Sequence, residues 1–565
     1  MSIKMDLVLE YSSLFEDESE DIQQLLKGVS KEVIFKCAAH HIMKHLFQED
    51  QFNAIDTIDN WFSDINSSYK VEILNKIYSI YKDKLNHLSF IHPLSHIKIV
   101  QYCLNIKDED INELSTADQE ISIFKIYLLI NEEVANQFKI NNNFFGQEYK
   151  GIEPEVAILS IGMKMAELFH YNFESEFYSQ MVKLSLFNSF VISKTELSLH
   201  LLKFLKMYNV NSINEYIGKL IQFVTHIINS SKHGFIEFSN NIEEEKGFLE
   251  KISNDKIVID NDFDFISVRD SPLIKLSEEK YLLIHPLFLL DKIFKSIYFD
   301  FNIINKELFE QHKSTISNFR SFYTTNFSEK YLLDEVLKYS LKNKYFQLSS
   351  KELHSIDSAP DYYIREGNKV ILIENKDTFF SAKVKDSEDF NEVMAELKRK
   401  LVVKDNGRKS AIKQLVNNIT KVLHHKNNFD KNYKQKNLKI YPVIIVHDIF
   451  YNCPGLNKIV LKWFNDELNN NKEHLHPKHF NNIMPVLIIN IDSIIRSAEI
   501  LRTNNMNIFN LLDLCINKLN LNDRTSRKKI ESGMIPTSHV IENHINATQR
   551  TLVKYNKILD ITFSL

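Results

Sequence analysis

Glycine is scarce in this chain: eleven among 565 residues, with no two closer than Gly146 and Gly151. Dinucleotide-binding folds need a GxGxxG turn that lets backbone approach the pyrophosphate, and no GxG is present. The Gly146–Gly151 spacing imitates the first part of a P-loop, but Ile152 and Glu153 stand where Lys and Ser/Thr must follow. Glycine-loop dinucleotide enzymes and nucleotide motors are thereby excluded. What remains is a long chain organised by apolar periodicity, and its length exceeds what one hydrophobic core usually organises, so two or three domains are expected.

Cys37, Cys103, Cys453 and Cys515 lie far apart with no CxxC pair, which argues against a zinc ribbon or a disulfide framework and for a reducing compartment. The first residues turn acidic after position 10 and lack a basic start with a long apolar run, so no signal peptide is expected. The apolar stretch 281–290 is interrupted by His285 and Pro286 and is too short to span a bilayer. These features predict a soluble, cytoplasmic protein with no membrane partner.

From Asp21 to about Lys251 the pattern is helical. Ile123, Ile126, Tyr127, Ile130 and Val134 form one stripe, and Leu201, Phe204, Leu205 and Tyr208 another. No fixed period recurs, so a regular solenoid is not expected. Next come a short strand at 256–259, a hairpin pairing 272–276 with 280–284, and a helix with Leu290, Ile293, Phe294 and Ile297 on its apolar face. From about Asn318, helix and strand signals alternate as in a mixed α/β layer. A helix beginning near Ser328 carries Leu333, Val336, Leu337 and Leu341. Strands are predicted at 362–364, 369–373, 442–447 and 485–491. Between the second and third lies a strongly periodic helix, 410–425, with Ile412, Leu415, Val416, Ile419, Val422 and Leu423 on one face. The expected division is a helical recognition or assembly domain at 1–255, a hairpin-helix connector at 256–317 and an α/β domain at 318–565.

The strongest chemical signal is Pro360-Asp361 at the start of one strand and Glu374-Asn375-Lys376 at the end of the next, joined by a turn at Gly367. The second strand is apolar on both faces and should be central, so a carboxylate at its end costs several kcal/mol unless a partner or metal compensates it. Alternation puts Glu374 and Lys376 on one side, and the hairpin can bring Asp361 beside them. This constellation resembles the PD-(D/E)XK nuclease superfamily, with Pro360-Asp361 standing for PD and Glu374-Asn375-Lys376 for (D/E)XK. The resemblance implies a restriction-endonuclease-like α/β nuclease domain following the helical array, an α + α/β chain. It also implies that Asp361 and Glu374 hold Mg²⁺, with Mn²⁺ as a substitute, and that Lys376 orients or activates the attacking water. The family often adds a glutamate from the preceding helix. On a 3.6-residue wheel Glu329 falls within the apolar stripe and Asp334 at its margin, so Glu329 is the favoured third metal ligand and Asp334 the alternative. Gln414 matches the glutamine or lysine that the family places on the helix after the core strands, with an orienting role.

The segment 396–439 carries thirteen Lys/Arg against three acids, a net of +10, which leaves −15 on the remainder of a chain whose total is −5. Such a segment attracts a polyanion, with Lys409, Lys413 and Lys421 as candidate phosphate contacts. The expected function is a DNA-cleaving, metal-dependent nuclease. Its helical region would serve a protein partner or self-assembly, an arrangement that resembles effectors of bacterial anti-phage defence or restriction. An RNA nuclease, or a non-catalytic nucleic-acid-binding or scaffold protein that keeps the fold, are the alternatives. The histidines of His474-Leu475-His476-Pro477-Lys478-His479 read as an exposed cluster. His40, His41 and His45 read as structural because the Glu of HExxH is missing.

Overall fold

The structure is a computed structural model. It describes residues 7–548 apart from 16–18, 48–52, 138–152, 170–172, 232–233, 240–242, 255–264, 357, 386, 388–389, 404–409, 435–436, 472, 474, 476–479, 504–505, 520 and 522–534. The strand expected at 256–259, the Gly146–Gly151 segment, Lys409 and the histidines 474, 476 and 479 lie outside the described residues. The chain is mostly helical with mixed sheets, an α + α/β architecture. No described helix is long and apolar enough to cross a membrane.

Two compact units divide the chain, and they do not follow the boundaries expected near 255 and 317. The first joins Ile3–Lys139 to Leu201–Asp300; the second joins Ile140–His200 to Phe301–Leu565. In the first unit, helices Lys31–Phe47, Pro93–Leu104 and Thr116–Gln137 pack in sequence. The predicted 123–134 stripe of the last one is entirely buried. Two-residue strands β1 (Leu7–Val8) and β2 (Leu88–Ser89) pair in parallel. The expected hairpin is present as β5 (Leu273–Ser277) and β6 (Lys280–Leu283). It is no connector, however, because β3 (Ile236–Ser239) pairs with β6 and β4 (Ser253–Asn254) with β5, giving a four-stranded sheet with Tyr281 and Leu282 fully buried. A lone hairpin is marginal in water, and this one finds its extra strands inside the first unit.

Beside this sheet lies a cluster of imidazoles. His41 stacks on His96 at 5.2 Å and on Trp61 at 5.8 Å, and His96 Nδ1 lies 3.2 Å from the Tyr127 hydroxyl. His45, His92 and His285 act electrostatically on His96 from neighbouring elements.

The second unit is built on a five-stranded sheet in the order β11-β10-β9-β8-β7. Its strands are β7 (Phe346–Leu348), β8 (Tyr362–Glu366), β9 (Lys369–Lys376), β10 (Lys439–Val446) and β11 (Leu487–Asn490). β8 runs antiparallel to both of its neighbours, β7 and β9, whereas β9, β10 and β11 are parallel. The middle strand is β9, as its two apolar faces predicted. On one face Tyr363, Val370, Leu372, Ile440, Ile444 and Val446 pack against helices Phe390–Leu401, Ala411–Leu423 and Leu456–Asn470. Ile412, Leu415, Val416, Ile419, Val422 and Leu423 are all buried there, as their period required. On the other face the Tyr441 ring meets Phe509 of helix Ile508–Lys518 edge-on at 5.3 Å.

The fold departs from expectation in where its helical cover comes from. Val156, Leu159 and Met163 of helix Glu153–Phe169 belong to the core beneath the sheet. Phe187 and Phe190 of helix Phe173–Ile192 pack on Phe327 at 5.1 and 5.3 Å. That same helix makes buried ion pairs with helix Ile491–Arg502: Lys183 with Asp492 at 2.9 Å and Glu176 with Arg496 at 2.7 Å. Removing one partner of a buried pair leaves an uncompensated charge, at a cost of roughly 3–5 kcal/mol. A chain begun at 318 lacks these aromatic and ionic partners. A fragment ending at 255 likewise loses β5 and β6.

Burial pushes the imidazoles of His41, His92 and His285 down to about 3 and that of His45 to about 4, and it holds His96 well below its usual range. Lys44 and Arg269 add repulsion at His41 and His285 respectively. Because these groups take up protons in the unfolded chain near pH 6.5 but not in the folded one, stability is retained above that pH and falls below it. The loss approaches about 1.4 kcal/mol per pH unit for each imidazole. Five together exhaust an ordinary folding stability of about 5–15 kcal/mol within one to two units. The first unit should therefore unfold in acid near pH 5, read by Trp61 fluorescence in a Trp463→Phe background. His96→Gln should lower that midpoint, and a transition below pH 4 in the parent would contradict the account.

Candidate active site

β8 and β9 join across Gly367-Asn368, where Gly367 has φ +58°, a left-handed value that glycine accepts without strain. Tyr362 pairs with Ile373, and the Asp361 N–H donates to the Ile373 carbonyl at 2.9 Å. The ladder thus runs one step beyond β8 and sets Asp361 beside Glu374. Alternation puts Asp361, Glu374 and Lys376 on the face covered by helix Ala411–Leu423, and Asn375 on the other.

Lys376 Nζ stands 3.5 Å from Glu374 Oε2 and 3.9 Å from Asp361 Oδ2. Asp361 Oδ2 also accepts the Asn375 N–H at 2.6 Å. Glu374 is fully buried. Burial first, then the Asp361 charge, raises its carboxyl well above the usual range, and Lys376 offsets only part of this. Burial pulls the Lys376 ammonium down, but the carboxylates of Asp361, Glu374 and Glu329 outweigh it and keep the group charged. The convergence expected of these three residues is present.

Glu329 arrives on a helix that differs from the one expected. Instead of beginning near Ser328, it starts at Phe319, where Asn318 caps it by accepting the Ser321 N–H at 2.9 Å. Over Tyr323–Leu333 it adopts wide π-type turns before continuing as ordinary α-helix over Asp334–Leu341. Thr324 Oγ1 donates to the Arg320 carbonyl and Asn326 Nδ2 to the Phe322 carbonyl, each four residues back. These side chains compete for acceptors of the ordinary α-helical ladder, which favours backbone pairing five residues apart. A 3.6-residue wheel therefore does not describe this stretch.

Even so, Glu329 is the carboxylate that feels the site. Burial, then the charge of Asp361, pushes its pKa up to about 7, with Lys376 pulling the other way. Asp334 is directed elsewhere: its Oδ1 accepts the Ser350 N–H at 3.1 Å and the Ser350 hydroxyl at 2.9 Å. The helix is held to the end of β9 by Asp377, whose side chain accepts from Arg320 at 2.7 Å and from the Ser328 hydroxyl. Burial would raise the Asp377 carboxyl, but Arg320, His447 and Ser328 hold it below its usual range.

Gln414 is half-buried, and its Oε1 has no hydrogen-bond partner among the described residues. The group on this helix that touches the carboxylates is Asn418, whose Nδ2 donates to Glu374 Oε1 at 3.3 Å. Sequence reasoning missed it, although a signal existed: Asn418 lies three residues after Leu415 and four before Val422, a polar side chain within the apolar stripe. On the far side of β9, Asn375 Oδ1 lies 2.7 Å from His447 Nε2 at the end of β10. Just beyond β10, Asp448 forms a turn, its Oδ1 accepting the Phe450 N–H at 3.0 Å. Of the basic segment, Lys413 is half-buried, Lys421 Nζ reaches the Ser358 carbonyl at 3.5 Å, and Arg399 and Lys400 pair with Glu396.

Among the described residues, no three or more His, Cys, Asp or Glu side chains converge into a ready metal cage. Magnesium does not require one, since it keeps several waters and takes one or two carboxylates. Asp361 and Glu374 supply hard oxygen donors at one point, with excess negative charge that Lys376 only partly offsets, so the donor set fits such an ion. No protein family, curated protein or solved structure matches this chain.

A raised carboxyl pKa means that the folded state resists ionisation of Glu374, so its contribution is most favourable at low pH and is lost as pH rises above the ordinary carboxylate range. In the presence of a chelator at pH 8, Glu374→Gln should melt several degrees above the parent. At pH 5 that gap should narrow, because a protonated carboxyl and an amide are then equivalent in charge. A variant melting below the parent at pH 8 would contradict the repulsion.

Proposed function

We propose that this protein is a magnesium-dependent phosphodiester hydrolase of the PD-(D/E)XK, restriction-endonuclease-like kind, acting on DNA. The observation that carries the reading is the juxtaposition at the end of the middle strand. A buried Glu374 and its hairpin neighbour Asp361 flank a charged Lys376, with Glu329 coupled to all three. Burying such a set without a cation is costly, which favours a site that exists to hold one. The strand pairing that delivers these groups, an antiparallel hairpin continued by a parallel strand across a helical crossover, adds support.

Asp361 and Glu374 would hold the magnesium, with Glu329 as a third carboxylate. When bound, such an ion polarises the phosphate and lowers the pKa of its water. Lys376, kept protonated by its carboxylate neighbours, faces the charge that develops on the phosphate in the transition state. Asp377, Arg320 and Ser328 secure the helix carrying Glu329. Lys413 and Lys421 would contact the substrate backbone, drawn by the +10 of their segment. An effector in bacterial anti-phage defence or restriction is the setting that this combination of helical region and nuclease suggests.

The deciding experiment is incubation with plasmid, linear duplex, single-stranded DNA and RNA, each with Mg²⁺ or EDTA. Cleavage of DNA in Mg²⁺ alone is expected. Glu374→Ala and Asp361→Ala should abolish it in folded protein, and Lys376→Ala should reduce kcat more than metal affinity. Undiminished cleavage by both carboxylate variants would remove the site assignment, and cleavage confined to RNA would change the substrate class.

A second expectation concerns binding. Lys413→Glu with Lys421→Glu should weaken DNA binding and flatten its log-log salt dependence by roughly one unit per lost phosphate contact. Unchanged affinity and slope, measured by fluorescence anisotropy across a salt series, would mean that these lysines only face solvent.

A further inference from the structure

Helix Ala411–Leu423 is apolar wherever it meets the sheet, with one conspicuous departure. Asn418 is 1% exposed, yet it carries an amide into the core. Its nitrogen is satisfied by Glu374 Oε1 at 3.3 Å, while its Oδ1 is buried without a hydrogen-bond partner among the described residues. One turn earlier, the buried Oε1 of Gln414 is in the same condition. Residues four apart share a helix face, so two unsatisfied amide oxygens stand in a row that leads to the carboxylate. Such acceptors are costly in a structure that does not use them.

We propose, on the strength of the nuclease reading above, that Asn418 is a positioning residue for Glu374. Its amide holds Oε1 against the helix and leaves Oε2 on the side where Lys376 stands, while its own Oδ1, with Gln414 Oε1, forms an acceptor pair for a water molecule. An amide suits the position for a specific reason. It supplies an N–H donor to Glu374 Oε1 and, from the same planar group, an acceptor on the side away from the carboxylate. An alanine would leave Glu374 Oε1 without this donor and free to rotate.

The test uses the full chain with Asn418→Ala, and with Asn418→Ser should the alanine variant fail to fold. Three quantities are measured: the melting temperature, Mn²⁺ affinity by calorimetry, and kcat and KM on plasmid DNA in Mg²⁺. Groups that orient metal ligands typically affect affinity or activity by about 10–100-fold. Asn418→Ala should lower kcat by about tenfold or more with KM within about twofold, and should weaken Mn²⁺ binding by about tenfold. A purely structural role would lower the melting temperature but leave Mn²⁺ affinity and kcat of the folded fraction untouched, and that result overturns the proposal. If the parent cleaves nothing, the nuclease reading fails and the Mn²⁺ titration alone decides. Weaker binding by the alanine or serine variant then supports the positioning role, and equal binding, or none by the parent, overturns it.

Discussion

The eight-residue parallel pairing of β9 with β10 is the constraint on which the second unit depends. It runs from Lys369 opposite Lys439 to Lys376 opposite Val446, buried on both faces for most of its length. Because side chains alternate, a slip of one residue would turn Glu374 and Lys376 to the face that Asn375 occupies and bring Asn375 toward Asp361. Register here is therefore set by apolar packing and read out as chemistry. The apolar side chains at 370–373 fix the strand, and the charged end of the strand is carried into place by them.

That arrangement burdens the protein with negative charge in a dry setting. Part of the compensation is local, through Lys376 and the backbone N–H of Asn375. The rest is architectural. Asp377, next along the chain, reaches back to Arg320 and Ser328 and ties the helix carrying Glu329 to the same strand end. The widened turns over Tyr323–Leu333 then set which side chains of that helix meet the site. Glu329 is electrostatically coupled to Asp361 and Lys376, while Asp334 caps Ser350.

Covering the sheet requires helices that the chain supplies early. Helix Phe173–Ile192 comes from a segment that by pattern alone belongs with the helical half. Yet it contributes Phe187 and Phe190 to the aromatic cluster around Phe327, and Glu176 and Lys183 to buried ion pairs with Arg496 and Asp492. Such pairs add little stability over an apolar replacement, but an unmatched helix in the same place would leave their charges buried and uncompensated. The division of the chain into two interleaved units follows from this exchange of helices.

Much of the site was legible in the residues themselves. Glycine scarcity excluded nucleotide loops, strict periodicity located the Ala411–Leu423 helix, and the two-sided apolar run 370–373 identified the middle strand, because these are properties of single segments that local sterics and burial dictate. The turn at Gly367 and the period of two were enough to bring Asp361 to Glu374. Three things were decided only by tertiary structure. The 153–192 helices joined the sheet unit because Asp492 and Arg496, some 300 residues away, supplied complementary charge and Phe327 supplied aromatic surface. The helix carrying Glu329 was placed by Arg320 and Ser328 engaging Asp377 at the end of β9, a contact between distant segments that an apolar-periodicity wheel does not weigh. Asn418 met Glu374 in place of Gln414 because which of two amides one turn apart reaches a carboxylate depends on how the helix seats on the sheet, and that seating is a property of packing between segments.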